Sequence, residues 1–228
     1  MPPDILFDLD GTLIDSSPGI LASFARVLAA HGLRPAVPLE ASLIGPPLAV
    51  TLRQVSGLRE EGDEALLGRL VEAFKADYDT AGYRATHAFS GVAEGLAQLA
   101  GAGARLFIVT NKRMVPTRRI LEALGLAGCF AGIHTRDETQ PMAPSKAAVA
   151  RRIIAHYAID PARAFFVGDS DEDAAAAREN GLRFIHATYG YGAAGITVRP
   201  DAVLDRFSRL PGLVETLSRE ACALPGRP

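Results

Sequence analysis

The sequence predicts an α/β protein, a parallel sheet flanked by helices, with a small α-helical domain inserted near its start. Three observations predict it. Short apolar runs of strand length recur with helical segments between them, the pattern of a parallel sheet covered on both faces. Nearly a hundred residues separate the first two runs, far more than one crossover helix requires. That interval carries the 3.6-residue periodicity of helices rather than the alternation of strands.

Ile5–Leu9 is the first strand-like run, and it ends abruptly in acids and a glycine. Ser17-Pro18 then supplies an N-cap and a first helical residue. Ile20, Phe24, Val27, Leu28 and His31 follow at helical spacing, and Gly32 closes the segment. Leu66, Leu67, Leu70, Val71 and Phe74 form a second amphipathic stripe. Both stripes read as the insertion's own core rather than as a cofactor site. The expected boundaries are 16–84 for the helical cap and 1–15 with 85–228 for the α/β core. A segment leaving the chain beside the first strand is placed to act as a lid. The later strands are expected at Arg105–Thr110, Gly132–Thr135, Ala164–Gly168, Arg183–Ala187 and Ala202–Leu204, which completes a Rossmann-like alternation.

Composition narrows the possible functions. The chain of 228 residues has a net charge of −2 and scattered Lys and Arg, so nothing electrostatic recruits nucleic acid or an anionic membrane. No uncharged apolar run approaches the ~18 residues of a membrane span. The N-terminus has no basic segment followed by a long apolar one, so no signal peptide is expected. Cys129 and Cys222 show no metal-ligand spacing, and so few cysteines fit a reducing cytoplasm. The five histidines likewise lack ligand spacing. The last residues, Leu224 to Pro228, are expected to fray.

Four segments carry chemistry. The first is Asp8-x-Asp10-Gly11-Thr12. Residues i and i+2 of a strand share a face, so both acids point together at the carboxyl end, where α/β sheets place ligands. Like charges held that close need a cation or a shared proton, and a hard divalent metal is the simplest source. The second is Thr110-Asn111, where a hydroxyl and exposed backbone N–H groups can hold phosphate oxygens. The third is Ser145-Lys146, which opens a helix carrying Val149, Ile153 and Ile154 and adds a point charge at its positive end. The fourth runs from Phe165 through Gly168 and Asp169 to Asp173, with Asp171 and Glu172 read as a solvated first turn favoured by the helix dipole. Residues 190–195 literally match a G-x-G-x-x-G dinucleotide fingerprint. They follow the fifth strand rather than the first, and no helix start follows, so no nicotinamide or flavin is expected.

In this order the segments resemble the four motifs of the haloacid dehalogenase-like hydrolase superfamily, over essentially the whole chain. The resemblance implies that Asp8 is a nucleophile taking the phosphoryl group as an aspartyl phosphate. It makes Asp10 the general acid and then the base that activates water. Thr110 and the Asn111 amide would bind the phosphoryl group, and Lys146 would neutralise it. Asp8, Asp169 and the Asp10 carbonyl would hold Mg²⁺, with Asp173 acting from behind them. A halide leaving group needs no acid, so Asp10 favours a phosphatase or phosphomutase over a dehalogenase. Lys75, the single lysine of the insertion, is not on its first helix, which sets aside the branch that forms a Schiff base.

Finer likeness, in Ile44-Gly45-Pro46-Pro47-Leu48, Thr110-Asn111-Lys112, Ser145-Lys146 and Tyr189-Gly190-Tyr191-Gly192, is to the phosphoglycolate phosphatase-like subgroup and its 5′-nucleotidase-like members. Ser170 departs from that subgroup's pattern. Gly45 and Arg53 are the candidates for substrate contact from the cap, Arg53 for a carboxylate or second anion. The expected activity is Mg²⁺-dependent hydrolysis of a small organic phosphate monoester, by a cytoplasmic monomer or homodimer whose partner is a small phosphorylated metabolite. The alternatives are a 5′-nucleotidase or a sugar phosphomutase, and the cap's lack of a dense basic cluster leans against the mutase. A binding module without turnover is disfavoured because all four motif positions are kept.

Overall fold

The computed structural model describes residues 2–192 and 196–223. Its elements in chain order are β1 (Asp4–Phe7), β2 (Ile14–Asp15), α1 (Ser17–Ala30), α2 (Leu48–Ser56), α3 (Glu64–Thr80), β3 (His87–Ala88), α4 (Val92–Gly101) and β4 (Arg105–Thr110). They continue as α5 (Met114–Ala123), β5 (Gly132–Thr135), α6 (Lys146–His156), β6 (Phe165–Gly168), α7 (Asp171–Glu179), β7 (Arg183–Ala187), β8 (Ala202–Leu204) and α8 (Leu210–Ala223). Six strands form a parallel sheet in the order β5-β4-β1-β6-β7-β8. The chain winds outward from β1 in both directions, so β1 and its neighbours β4 and β6 bracket the switch point where such sheets bind ligands.

Alternation along the strands explains why both faces are covered. Ile5, Phe7, Ile108, Phe165 and Val167 pack into one apolar cluster with α4 and α8. Leu6, Phe107, Val109 and Phe166 pack into the other, with α6 and α7. Period-two strands made apolar on both faces are the signature of a buried parallel sheet.

The first strand stops at Phe7, two residues short of its expected end. The ladder continues one step further, because the Asp8 N–H donates to the Val167 carbonyl at 2.9 Å. The chain then turns back on itself, with the N–H groups of Thr12, Leu13 and Ile14 all directed at the Leu9 carbonyl. Gly11 makes this possible at φ +85°, and a Cβ there would lie 2.3 Å from an Asp169 carboxylate oxygen.

Between β2 and β3 lie the three helices of the insertion. They enclose their own apolar cluster of Phe24, Leu28, Leu52, Val55, Leu70 and Phe74. The rings of Phe24, Phe74 and Tyr78 stack along it at 4.8 and 5.4 Å between centroids. Helix α2 was not expected from the sequence. It is short, buries only Thr51, Leu52 and Val55, and lies between Pro47 and Gly57, so its periodic signal is brief. β2 and β3 pair antiparallel over two residues, Ile14 with Ala88 and Asp15 with His87, and tie the two ends of the insertion together. Two residues are too few to show alternation in sequence.

One cap position is corrected. Helix α1 starts at Ser17, so Ser16 occupies the N-cap, and its hydroxyl donates to Asp10 rather than accepting from the helix. Cys129 is a free thiol. Among the described residues no helix is long and apolar enough to cross a membrane. The tail from Leu224 lies outside the described residues.

Candidate active site

Asp8, Thr110 and Asp169 stand at or just past the carboxyl ends of β1, β4 and β6, and Lys146 is the first residue of α6. Ser145 caps that helix, its hydroxyl accepting from the Ala148 N–H at 3.1 Å. This fixes the direction of Lys146, whose ammonium is 3 % exposed and lies 2.9 Å from Asp8 Oδ1 and 2.6 Å from Asp173 Oδ1. The other oxygen of Asp173 accepts from the Ser170 N–H and hydroxyl, closing a capping box at the start of α7. Both Asp173 oxygens are therefore occupied, and the residue serves to hold Lys146.

Asp169 is held from the opposite side. Its Oδ2 accepts from the backbone N–H groups of Tyr191 at 2.7 Å and Gly192 at 3.0 Å. A Cβ on Gly190 would sit 2.3 Å from the Asp169 Cβ, so glycine lets this loop approach the acid. The apparent dinucleotide fingerprint is, over Gly190 to Gly192, a cradle for a carboxylate. Its remaining residues, 193–195, lie outside the described residues. The Tyr191 hydroxyl accepts from the Ser16 and Ser17 N–H groups and donates to Asp15 at 2.6 Å, so the same residue grips the entry to α1.

Asp8, Asp169 and Asp173 each offer an oxygen within 4.8 Å of the others. Three carboxylates around one ammonium leave an excess of two negative charges in a buried space. Burial pushes the Asp8 carboxyl well above the ordinary range, with Lys146 opposing and Asp173 and Asp169 adding to the rise. Burial and then Asp173 push Asp169 up to about 6, while the Gly192 N–H opposes. A hard divalent cation would discharge this cluster, and oxygen donors are what such a cation takes. The Asp10 carboxylate is not in the cluster, in keeping with a role for Asp10 at the metal through its backbone carbonyl alone. It turns instead to the Ser16 hydroxyl and to Lys112, whose ammonium lies 3.0 and 3.2 Å from its two oxygens.

A cavity of about 510 Å³ opens between these groups and the insertion. Asp8, Asp10, Thr110, Asn111 and Lys112 line one side, and Phe24, Ile44, Gly45, Val71, Phe74 and Tyr78 line the other. Several contacts join the two sides. Lys112 lies 4.9 Å from the centroid of the Tyr78 ring, and Arg113 makes a bidentate pair with Asp79. The Asn111 amide donates to the Gly45 carbonyl at 3.0 Å and to Glu172 at 2.6 Å. Glu172 is thus an acceptor at the site rather than a freely solvated acid. Arg53 is a correction of the opposite kind. It does not line the cavity, and its guanidinium donates to the Arg59 carbonyl.

Ser16, Lys112 and Tyr191 were missed as functional candidates. One signal could have found Lys112. The chain has three lysines, 75, 112 and 146, against far more arginines, and two of the three lie buried at this site. A compact, strongly hydrated ammonium is kept where a planar guanidinium does not fit.

The sequence matches the haloacid dehalogenase-like hydrolase family over residues 5–187. The chain belongs to this family. Phosphoglycolate phosphatase of Agrobacterium fabrum is 34% identical over 230 residues, covering 98% of this chain and 97% of that protein. Tyrosine-protein kinase PtkA of Mycobacterium tuberculosis is 36% identical over 194 residues, which is 85% of this chain. The chain spans 64% of the length of that mycobacterial relative. Among solved haloacid dehalogenase-like structures, that of a predicted phosphoglycolate phosphatase from Haemophilus somnus superposes with a TM-score of 0.81 at 25% identity. The match covers 93% of this chain and 97% of that one.

Proposed function

We propose that this haloacid dehalogenase-like hydrolase is a cytoplasmic, Mg²⁺-dependent phosphomonoesterase that works through an aspartyl phosphate on Asp8. Its substrate is a small phosphorylated metabolite. The observation that carries the reading is the division of labour between the two acids. Asp8 faces the cavity beside Lys146 and Asp169, while Asp10 faces the same cavity on separate partners.

In the first step an Asp8 oxygen attacks phosphorus as the bond to the leaving oxygen breaks, and Asp10 delivers a proton to that oxygen. In the second, Asp10 takes a proton from water, which attacks phosphorus, releases phosphate and restores Asp8. Thr110 and the Asn111 backbone N–H hold the transferring group, and Lys146 offsets the repulsion between two anions. Asp8, Asp169 and the Asp10 backbone carbonyl would hold the cation, which when bound supplies charge neutralisation at the phosphoryl oxygens. The insertion, residues 16–84, acts as a mobile cap over a core of 1–15 and 85–228.

The relatives named phosphoglycolate phosphatase support a monoesterase over a 5′-nucleotidase or a sugar phosphomutase. The relatives named tyrosine-protein kinase favour a second reading, phosphoryl transfer from Asp8 to a phenolic acceptor. Release of inorganic phosphate from p-nitrophenyl phosphate, with Mg²⁺ and after chelation, tests the first reading. Phosphate appearing on an added tyrosine peptide in place of release would favour the second.

Two further outcomes are expected. Mg²⁺ raises the Tm of the wild type by a few degrees, as expected when a ligand binds only the folded state. Asp169→Asn abolishes that shift, yet without metal it melts no lower than the wild type, because a costly buried charge has gone. Differential scanning calorimetry of the two proteins reads both effects. Separately, Lys112→Met lowers kcat about tenfold on alkyl phosphates and much less on p-nitrophenyl phosphate. Asp10 then loses the ammonium that orients it, and only a poor leaving group needs a well-placed acid. Equal losses on both substrates would remove Lys112 from the proton-transfer step.

A further inference from the structure

The cavity wall says what kind of alcohol leaves. Opposite the phosphoryl-binding residues stand Ile44, Leu48, Val71, Phe74, Pro116 and Met142, contributed by the insertion, by the start of α5 and by a loop of the core. Tyr78 and Thr51 add hydroxyls to that side, the latter already given to the Leu43 carbonyl, but these six side chains can hydrogen-bond neither a sugar hydroxyl nor a carboxylate. Burying such groups against them would leave the groups desolvated without partners.

The cations of the lining are already engaged. Lys112 is paired with Asp10, Arg113 with Asp79, and Lys75 with Glu72. Arg136 spends its Nε and one terminal nitrogen on the carbonyls of Ala143 and Pro144 at 2.8 Å. Arg53, the residue whose charge suggested a carboxylate site, lies outside the cavity. A substrate carboxylate would therefore have to displace an existing carboxylate partner at Lys112, Arg113 or Lys75, while Arg136, bound to carbonyls, is the one cation among these described lining residues that no acid neutralises. At about 510 Å³ the space is also far larger than a leaving group the size of glycolate requires.

We infer that the preferred substrate of this site is the phosphate monoester of an uncharged, largely apolar alcohol, of the size of an arylalkyl or medium-chain alkyl group. Its apolar body packs against the cap wall while Asp8 and Lys146 receive the phosphoryl group. This rests on the phosphomonoesterase reading above and narrows its substrate class away from that in its relatives' names.

The test is a set of steady-state kcat/KM values for the full chain with Mg²⁺. The esters are methyl, n-butyl and n-hexyl phosphate, benzyl phosphate and phosphoglycolate, all with aliphatic alcohol leaving groups of similar basicity, so that pocket contacts dominate the differences. The expected result is a rise along the alkyl series of up to about fourfold per methylene, with benzyl phosphate favoured over phosphoglycolate by about tenfold or more. Val71→Asp, at a half-buried wall position, is expected to flatten the series. A flat wild-type series, a preference for phosphoglycolate, or an unchanged slope in Val71→Asp would each overturn the inference. Failure to hydrolyse any ester, p-nitrophenyl phosphate included, would instead overturn the phosphomonoesterase reading and the inference with it.

Discussion

Asp8→Asn is expected to lower kcat by about 10⁴-fold or more, on every phosphate ester and at every Mg²⁺ concentration. The amide is isosteric with the carboxylate but cannot attack phosphorus and carry the phosphoryl group onward. Binding and the remaining electrostatics survive, so the loss falls on kcat rather than KM. Folding is expected to survive as well. Asp8 is buried beside two other carboxylates, and its charge is costly there until a cation arrives. Removing that charge relieves repulsion, although Lys146 then keeps only Asp173 as its carboxylate partner. Initial rates together with a melting curve separate the two effects. A melting temperature like that of the wild type with unchanged turnover would place the nucleophile elsewhere.

Lys146→Met is expected to cost about 3–5 kcal/mol of stability, a fall of roughly 10 °C in Tm, along with activity. The ammonium is the bridge between Asp8 and Asp173, and its loss leaves two buried carboxylates facing each other. Arginine is not expected to rescue it. The ammonium is 3 % exposed, and Asp173 Oδ1 is already only 2.6 Å away, so a planar guanidinium has no room. The physical cause can be isolated by a second change. In a Lys146→Met background, Asp173→Asn is expected to recover part of the lost stability without recovering turnover, measured as a coupling energy in a double-mutant cycle. Additive losses would show that Lys146 contributes through packing and not through charge.

These expectations rest on residues that were visible in one dimension for a local reason. Asp8, Thr110 and Asp169 each end a short apolar run, and Lys146 follows a serine at the start of an amphipathic helix. A strand end and a helix start are written in a handful of consecutive residues, so each could be placed before any contact was known. The split of β1, β4 and β6 into two buried faces is equally local, because side chains of a strand alternate. The resemblance to known motifs then joined the four positions into one site.

Other features have no such local record. α2 and the β2–β3 pair are too short to display a period, and they form because the insertion packs on itself and its two ends meet. Arg53 looked suitable by charge alone, yet the direction of α2 carries it to the Arg59 carbonyl instead of the cavity. Gly190 to Gly192 matched a fingerprint by letter, and only the approach of that loop to Asp169 reveals which group its N–H donors serve.

The chain's own pattern was enough to settle the α/β class, the long helical interruption and the four positions at the edge of the sheet. Folding in three dimensions decided how the two opening acids divide. Asp8 is drawn to Lys146 beside Asp169, whereas Asp10 is drawn to Ser16 and Lys112. It also decided that the cap side of the cavity is largely apolar and that Lys112 and Arg113 are already paired with acids. The reason is range. Secondary structure follows from neighbours a few residues apart, while a carboxylate's partner is whichever charge the packing of distant elements brings within hydrogen-bonding reach.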